Sequence, residues 1–512
     1  MTIFEAAFPP PTIDWPIILP VIIVTLAGIV GITIEMFRPK QNNNPIVWTC
    51  LIGLVAAAVA TSVQFGMPFA KTFGGMVVRD QFALVAQLLM ILSAFLAILF
   101  SEGYLREKRI PFGEFYPLVM WATAGGMVMV STENLLMVFL GLECLSIPLY
   151  VLAGLARHER KSEEAAIKYF LLGAFGSAFI LYGMALKYGA TGSLLIADMA
   201  AAWAAGGAAQ PLLLFALGLM LIGLCFKASF VPFHQWTPDV YQGSPTNVVA
   251  FMSAGSKIAA MFVLFRVLDA SQVMGEYWFP VMYWIAILTM TVGNFAALVQ
   301  RDVKRILAYS SISHAGYMLV GVLAHLKAPD KVGFGTTAYY LFAYTLMVVG
   351  SFAVVSLVAK SGKESTRLKD LNGLWRRDPI LAVGMVVFMA SLIGMPPTAG
   401  FLGKFSIVTD AITAGLMPLV IVLIVNSIVS CYYYLGIAAA AFVNDEESGE
   451  VLRAKPNLGL GAATAISAAG IVLMTLFWTP LMEGMTGDDG GLKPTHLSRT
   501  VAVHGSTSPI VE

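Results

Sequence analysis

Four ionisable residues lie within stretches of sequence that otherwise have the composition of lipid-buried helices. They are Glu143, Lys227, Lys257 and Lys404. A charged side chain at bilayer depth costs roughly 2.5–3.5 kcal/mol on insertion scales, so each of these residues requires a compensating role. The usual role is to line a path for ions or protons. We therefore interpret the four residues as a proton pathway.

The chemistry expected of this set is reversible proton exchange. A lysine in a dry site loses the hydration of its ammonium, which favours the neutral form and allows exchange near neutral pH. A nearby carboxylate favours the charged form instead, so Glu143 beside Lys227 would act as a switch that holds or releases the proton. The predicted hydrated line runs from Lys227 through Lys257 and His314 to Lys404, with serines and tyrosines holding the waters.

Several of these residues also have a purely structural interpretation. Lys227 could extend to the inner membrane interface, because it lies near the inner end of its segment. Lys404 follows a break and could cap a helix end. His314 could be a packed histidine that bonds a neighbouring hydroxyl.

Three further charged residues are expected to have no transport role. Arg266 and Asp269 lie one turn apart near an outer segment end, and we interpret them as an interfacial ion pair. Glu133 lies near a segment end and is expected to face water or lipid headgroups.

The composition is that of a multi-pass membrane protein. Of 512 residues, 58% are hydrophobic and 12% are charged, against about 25% charged residues in soluble domains. The net charge of +1 gives no indication of a nucleic-acid partner. The four cysteines are scattered without CxxC spacing and the six histidines form no ligand cluster, so we expect no cofactor and no metal on this chain. Any redox chemistry must then lie on other chains.

Fourteen apolar runs of about 20 residues predict an all-α membrane protein with about 14 transmembrane helices. The N-terminal residues lack the positive region of a signal peptide, so the first run is expected to be retained as a span. The predicted segments are 16–37, 45–65, 81–104, 114–131, 133–156, 165–188, 211–230, 245–269, 277–299, 303–324, 334–359, 379–412, 416–442 and 457–479.

The basic residues alternate between loops as expected for such a protein. If the N-terminus lies outside, the inner loops hold most of the 31 lysines and arginines. This bias predicts that both termini lie on the outer side of the membrane.

Two of the segments, the seventh and the twelfth, are predicted to be broken helices. Lys227 comes five residues before Pro232, and Pro396 and Pro397 come shortly before Lys404. Proline removes a backbone donor and frees carbonyl groups for other partners. A pair of interrupted segments in matching positions of two halves is typical of a transport site between inverted repeats.

The spacing of these residues predicts two inverted repeats of five helices. Lys227 and Lys404 are 177 residues apart, and a similar offset of 171 relates Glu143 to His314. Because five is an odd number, the second copy would cross the membrane in the opposite sense. The predicted organisation is 1–113 for helices 1–3, 114–270 for the first repeat (helices 4–8), 271–443 for the second repeat (helices 9–13), and 444–512 for helix 14 and a polar C-terminal tail.

Four motifs resemble the antiporter-like proton-translocating subunits of respiratory complex I, the NADH:quinone oxidoreductase. In that family the fifth-helix glutamate matches Glu143, and the lysines of the seventh, eighth and twelfth helices match Lys227, Lys257 and Lys404. His314 matches the SSISH stretch. A twelfth-helix lysine and a short tail favour one branch of the family over those with a glutamate there or a long lateral helix. The motifs are GLECLSIPLYVLAG, FKASFVPFHQWTPDVYQGSPTNVVAFMSAGSKIA, RILAYSSISHAGYML and GMPPTAGFLGKF.

The resemblance implies a proton pump within a multisubunit complex of the bacterial inner membrane, driven by redox energy released elsewhere. Flavin, iron–sulfur clusters and quinone would lie on partner subunits. The partners would be other membrane-arm subunits, including a neighbouring antiporter-like subunit, and the lipid bilayer. The surroundings of Lys404 would lead to the outer half-channel.

Two other classes of function remain open at this point. The chain could be a subunit of a multisubunit sodium/proton antiporter or of a membrane-bound hydrogenase, which share this fold. It could also be a purely structural membrane scaffold. Transport without an electron donor would favour the antiporter, and intact pumping after loss of Lys227 or Glu143 would favour the scaffold.

Overall fold

Long apolar helices make up most of the chain that the computed structural model describes. The described residues are 13–37, 43–108, 110, 113–356, 359–360, 363–364, 366–443 and 458–486. The predicted polar C-terminal tail lies outside these residues. The helices are α1 (Trp15–Phe37), α2 (Asn44–Ser62), α3 (Gln81–Glu107), α4 (Phe115–Val130), α5 (Leu135–Ala153), α6 (Arg160–Thr191), α7 (Asp198–Ala204), α8 (Ala209–Ala228), α9 (Trp236–Gly243), α10 (Thr246–Ala270), α11 (Gly275–Leu298), α12 (Val303–Lys327), α13 (Gly335–Ser356), α14 (Leu374–Arg377), α15 (Pro379–Ile393), α16 (Ala399–Thr413), α17 (Met417–Phe442), α18 (Leu458–Leu476) and α19 (Trp478–Thr486).

Twelve of the described helices are long and apolar enough to cross a membrane. The two remaining predicted segments are built from shorter helices: α4 has 16 residues, and α15 and α16 have 15 residues each. The prediction of a helical, multi-pass membrane protein is therefore confirmed. The count of fourteen spans stays a prediction.

Two small hairpins depart from the all-α prediction. Strands β1 (Ala70–Thr72) and β2 (Val77–Arg79) pair antiparallel, as do β3 (Ala359–Lys360) and β4 (Lys363–Glu364). Strands of two or three residues are too short for alternation of apolar and polar residues to be recognised in a sequence. The hairpins occupy connections between helices and leave the helical architecture unchanged.

Three helices, α10, α12 and α13, form the centre of the bundle. The most apolar stretch of α10 is entirely buried, and those of α12 and α13 are nearly so. The corresponding stretches of α1, α6 and α18 are mostly exposed on the outside of the bundle. Polar side chains on the three central helices are therefore surrounded by protein and not by lipid.

A common order of elements occurs twice along the chain. Helices α4, α5 and α6, the pair α8/α9, and α10 are followed by α11, α12 and α13, the pair α15/α16, and α17. The side chain of Asn134 caps α5 and that of Asp302 caps α12. Each cap residue also forms an isolated bridge to a later loop, Asn134 to Leu195 and Asp302 to Arg367. This order is the one expected of two five-helix units; their inverted orientation and boundaries stay predictions.

The two predicted helix breaks are present. Helix α8 ends with Ser229 in the left-handed region at φ 66°, and α15 ends with Gly394 at φ 87°. Helix α9 then continues the seventh segment, with Trp236 and Tyr241 buried in the bundle. The predicted segment of 211–230 matches α8, and α9 is an additional helix that the prediction did not contain. The short helix after the break was missed because Pro232 and the polar residues that follow are typical of a loop.

Candidate functional site

Lys227 lies in the last turn of α8, at the junction of the two halves of the broken helix. Its side chain is buried, with 3% of its surface exposed. Its Nζ donates a hydrogen bond of 2.7 Å to Ser146 Oγ on α5, and Ser146 donates onward to the Leu142 carbonyl. The ammonium also lies 5.8 Å from the ring centroid of Tyr169. The interpretation that Lys227 extends to the interface is therefore wrong.

Glu143 lies on α5, one turn before Ser146, and is half-buried. It interacts electrostatically with Lys227. No ion pair joins the two groups among the described residues, and the buried Oε1 of Glu143 has no hydrogen-bond partner there. The structure thus brings Glu143 near Lys227, with Ser146 as the direct partner of the lysine.

Lys257 lies on the central helix α10 and has no exposed surface. Its Nζ has no hydrogen-bond partner within the described part of the chain. The nearby hydroxyls of Ser253 and Ser256 donate to carbonyls of their own helix. Lys257 interacts electrostatically with His314 on α12.

His314 is enclosed by tyrosines from three helices. The hydroxyl of Tyr340 lies 2.7 Å from Nδ1, and that of Tyr434 lies 2.8 Å from Nε2. A neutral imidazole has one donor and one acceptor nitrogen, so one tyrosine must accept a hydrogen bond from the ring while the other donates one to it. The rings of Tyr317 and Tyr344 complete the enclosure, at 5.4 and 5.2 Å between centroids. His314 thus bonds to neighbouring hydroxyls, as its structural interpretation supposed, and its part in the pathway stays a prediction.

Lys404 lies on α16, just after the break in the twelfth segment, with 6% of its surface exposed. Its Nζ donates to the carbonyl oxygens of Leu392, at 3.0 Å, and Ile393, at 2.9 Å. These are the last carbonyls of α15, which a helix cannot satisfy internally. The lysine therefore caps α15, as the structural interpretation predicted, and joins the two half-helices. It also lies 4.9 Å from the ring centroid of Tyr317.

Aromatic and hydroxyl side chains lie between the surroundings of Lys227 and those of His314. Tyr169 stacks on Trp236 at 4.7 Å, and Trp236 contacts Tyr241 at 6.2 Å between ring centroids. Ser311 lies next to the hydroxyls of both Tyr241 and Tyr344. None of these three hydroxyls makes a well-aligned hydrogen bond within the described residues. The sequence analysis expected serines and tyrosines to hold the waters but did not identify Tyr241 or Tyr344.

A cluster of buried amides adjoins Tyr317 and was missed by the sequence analysis. Asn294 on α11 donates to the hydroxyl of Tyr317 at 3.0 Å and to Asn426 on α17 at 3.2 Å. Tyr433 donates to the amide oxygen of Asn294 at 2.8 Å. A single asparagine inside an apolar segment was the only available signal, and it does not identify its partner.

The C-terminal end of α10 holds a buried ionic network. Arg266 Nη2 lies 2.8 Å from both carboxylate oxygens of Asp80, and both side chains are buried. Glu133 is also buried; it pairs with Lys71 at 2.8 Å and lies 4.0 Å from Arg266. The interfacial pair of Arg266 with Asp269 and the exposed position of Glu133 were therefore wrong predictions. The true partner of Arg266 lies 186 residues away along the chain.

We expect Asp80→Ala to destabilise the protein by roughly 3–5 kcal/mol, because Arg266 would keep a buried charge without its partner. Loss of the cap that Asp80 provides to Ala83 N would add to this effect. Thermal unfolding of the purified complex, followed by size-exclusion chromatography, measures the change. Asp330→Ala, which removes an exposed carboxylate, is the matched control. Equal stability of the two variants would contradict the structural role of the buried pair.

Within the described ranges, no group of three or more His, Cys, Asp or Glu side chains could hold a metal ion. The groups that the structure does bring together are Glu143, Ser146 and Lys227 in one region, and Lys257, His314 and Lys404 in the other. Their roles in proton transfer stay a prediction.

Comparison with known proteins matches residues 132–430 to the family model described as NADH:quinone oxidoreductase/Mrp antiporter, TM. This range contains all five candidate residues. NADH-quinone oxidoreductase subunit N of Trichlorobacter lovleyi is 42% identical over 465 residues, covering 90% of this chain and 94% of that protein. The subunit N of Chloroflexus aggregans is 40% identical over 476 residues, covering 92% and 96%.

Solved structures agree with this assignment. A chain of respiratory complex I from Thermus thermophilus, solved with bound aureothin, superposes with a TM-score of 0.76 and 37% identity, covering 90% of this chain and 98% of that one. A chain of the Mrp complex from a Dietzia species has a TM-score of 0.78 at 21% identity, over 92% and 96% of the two chains, which shows a shared fold alone. The chain thus belongs to the NADH:quinone oxidoreductase/Mrp antiporter transmembrane family, in which its Trichlorobacter and Chloroflexus relatives are subunit N proteins.

Proposed function

We propose that this chain is a proton-translocating membrane-arm subunit of a respiratory NADH:quinone oxidoreductase in the bacterial inner membrane. The observation that carries the proposal is the burial of Lys227, Lys257 and Lys404 inside a membrane-spanning bundle. A structural role accounts for Lys404 in part, but it leaves Lys257 unexplained, since an unpartnered buried amine only destabilises the fold.

Proton transfer in this proposal uses side chains that can both accept and donate. Lys227 holds a proton against Ser146, and the approach or withdrawal of the Glu143 carboxylate favours or disfavours that charged state. The tyrosine and serine hydroxyls between Lys227 and His314 can accept a proton on one side and donate one on the other. Lys257, which interacts electrostatically with His314, is the central proton acceptor of the path. His314 takes up a proton at one ring nitrogen and releases one from the other, towards Lys404 and the outer half-channel.

The same proposal covers orientation and partners. Both termini lie on the outer side, and residues 114–270 and 271–443 form two inverted repeats between the N-terminal helices of 1–113 and the last helix with its tail, 444–512. Redox energy comes from partner subunits that carry flavin, iron–sulfur clusters and quinone. An antiporter subunit is the lesser alternative, because the likeness to the Mrp chain, at 21% identity, concerns the fold alone.

We expect Glu143→Gln and Lys227→Gln each to lower NADH-driven proton pumping by roughly tenfold or more per assembled complex, an effect of about 1.4 kcal/mol. Quinone reduction should fall with it, because electron transfer and pumping are coupled. Inverted membrane vesicles supplied with NADH and a pH-sensitive dye provide the measurement. Glu276→Gln, at an exposed position on α11, is the control.

Two outcomes would overturn the proposal. Normal pumping by correctly assembled Lys227→Gln and Glu143→Gln complexes would favour a structural scaffold. Proton movement driven by a sodium gradient in the absence of NADH would favour the antiporter alternative.

A further inference from the structure

A large basic cavity opens at the end of the bundle where α12 begins. Its volume is about 760 Å³. Its walls come from both five-helix units. Helices α6 and α9 contribute from the first, and residues 301–302 just before α12, the 367–372 segment and α17 contribute from the second. The charged lining residues are Lys161, Arg301, Asp302, Arg367 and Lys369.

The single acidic residue of this lining is already engaged. Asp302 accepts a hydrogen bond of 3.0 Å from Arg305 N through Oδ1, and a further bond from the Thr366 hydroxyl through Oδ2. Neither Lys161 nor Arg301 forms an ion pair within the part of the chain that the structure describes. The cavity therefore has an excess of positive charge.

Three neighbouring basic residues have partners within the protein. Lys168 and Arg305 both bind the Asp239 carboxylate, at 2.8 and 2.7 Å. Lys304 donates to the Ser244 carbonyl at 2.6 Å. Lys161 and Arg301 differ from these neighbours, because they line the cavity without forming an ion pair within the described residues.

Apolar surface continues from the cavity along the outside of the bundle. Val299, two residues before Arg301, is 76% exposed, and Phe295 is exposed one turn earlier on α11. Helix α17, which packs against α11, exposes Leu435 and contributes Ala440 to the cavity wall. A ligand with an anionic head and apolar chains would match both surfaces.

We propose that this cavity binds the phosphate headgroup of an anionic phospholipid from the inner leaflet, with its acyl chains along α11 and α17. Basic pockets between transmembrane helices on the cytoplasmic side characteristically hold such headgroups. Because the lining comes from both five-helix units, the bound lipid holds the inner ends of the two units together. This inference does not depend on proton transport by the chain.

Photocrosslinking tests the proposal in the purified, delipidated complex. The probe is phosphatidylglycerol with a diazirine near its headgroup, and the readout is the yield of labelled peptides from residues 296–305 and 366–376. Arg301→Gln combined with Arg367→Gln is expected to weaken labelling roughly 30-fold, since each basic residue near an anionic lipid surface contributes about fivefold in affinity. Lys161→Gln provides a second variant from the first unit, with an expected loss of about fivefold. Arg160→Gln, which removes an exposed charge beside Lys161 but outside the cavity, should label like the wild type.

The competing ligands give distinct results. A phosphatidylcholine probe should label these peptides weakly, and soluble glycerol phosphate should fail to displace the phosphatidylglycerol probe. Equal labelling of the wild type and the Arg301/Arg367 variant would overturn the proposal. Full displacement of the probe by glycerol phosphate would also overturn the proposal and would indicate a site for a soluble anion. A crosslink from the cavity to a segment of a partner subunit, in place of the lipid probe, would overturn it as well.

Discussion

Replacing Lys257 with methionine is expected to leave the protein at least as stable as the wild type while lowering proton transport roughly 100-fold or more. The amine has no exposed surface and no hydrogen-bond partner within the described residues. Removing a buried, unpartnered ionisable group relieves its desolvation cost, and methionine fills a similar volume with flexible apolar atoms. The loss of transport follows because the proposed path would lose its central proton acceptor.

Lys187→Met is the matched control for this experiment. Lys187 is also completely buried, but its Nζ donates to the carbonyl oxygens of Ser193 and Leu195 at 2.9 and 2.5 Å. Its replacement should destabilise the protein and leave transport per assembled complex unchanged. Thermal unfolding and NADH-driven dye quenching of the same preparations separate the two effects. A Lys257→Met variant that is less stable and still pumps would show that Lys257 has a structural role.

Replacing Lys404 with arginine is expected to preserve assembly and abolish pumping. A guanidinium can still donate to the carbonyls of Leu392 and Ile393, so the end of α15 remains capped. It does not lose its proton under any condition a protein tolerates, and proton exchange at this position should therefore fall roughly 100-fold or more. Lys404→Met should lose both functions, with a cost of about 1–3 kcal/mol for the carbonyls left without a donor.

The comparison of the two Lys404 variants distinguishes the role of Lys404 in capping α15 from its role in proton transfer. Assembly is measured by native electrophoresis of the membrane complex and pumping by dye quenching in vesicles. Lys331→Arg, at an exposed position, controls for the change of side chain. Normal pumping by Lys404→Arg would restrict Lys404 to capping α15 and would remove it from the proposed pathway.

Much of the architecture was accessible from the sequence because a bilayer imposes local rules. A helix that crosses the membrane must be apolar over a fixed length and must satisfy its own backbone, so the spans appear as continuous runs. Proline interrupts such a run at a defined place, and both predicted breaks are present, after Ala228 and after Ile393. Short elements such as α9 and the two hairpins were missed, because a few residues have too little periodicity to be recognised.

The sequence by itself determined the class of protein, its family and the identity of the ionisable residues that a membrane interior does not tolerate without a reason. Only the tertiary structure decided the partner of each one. Lys227 meets Ser146 across 81 residues of chain, His314 meets Tyr434 across 120, and Arg266 meets Asp80 across 186. The cost of burying a charge is a property of one residue in its own segment. The group that compensates this cost depends on which helices pack together, and helix packing follows from side-chain shape over the whole bundle.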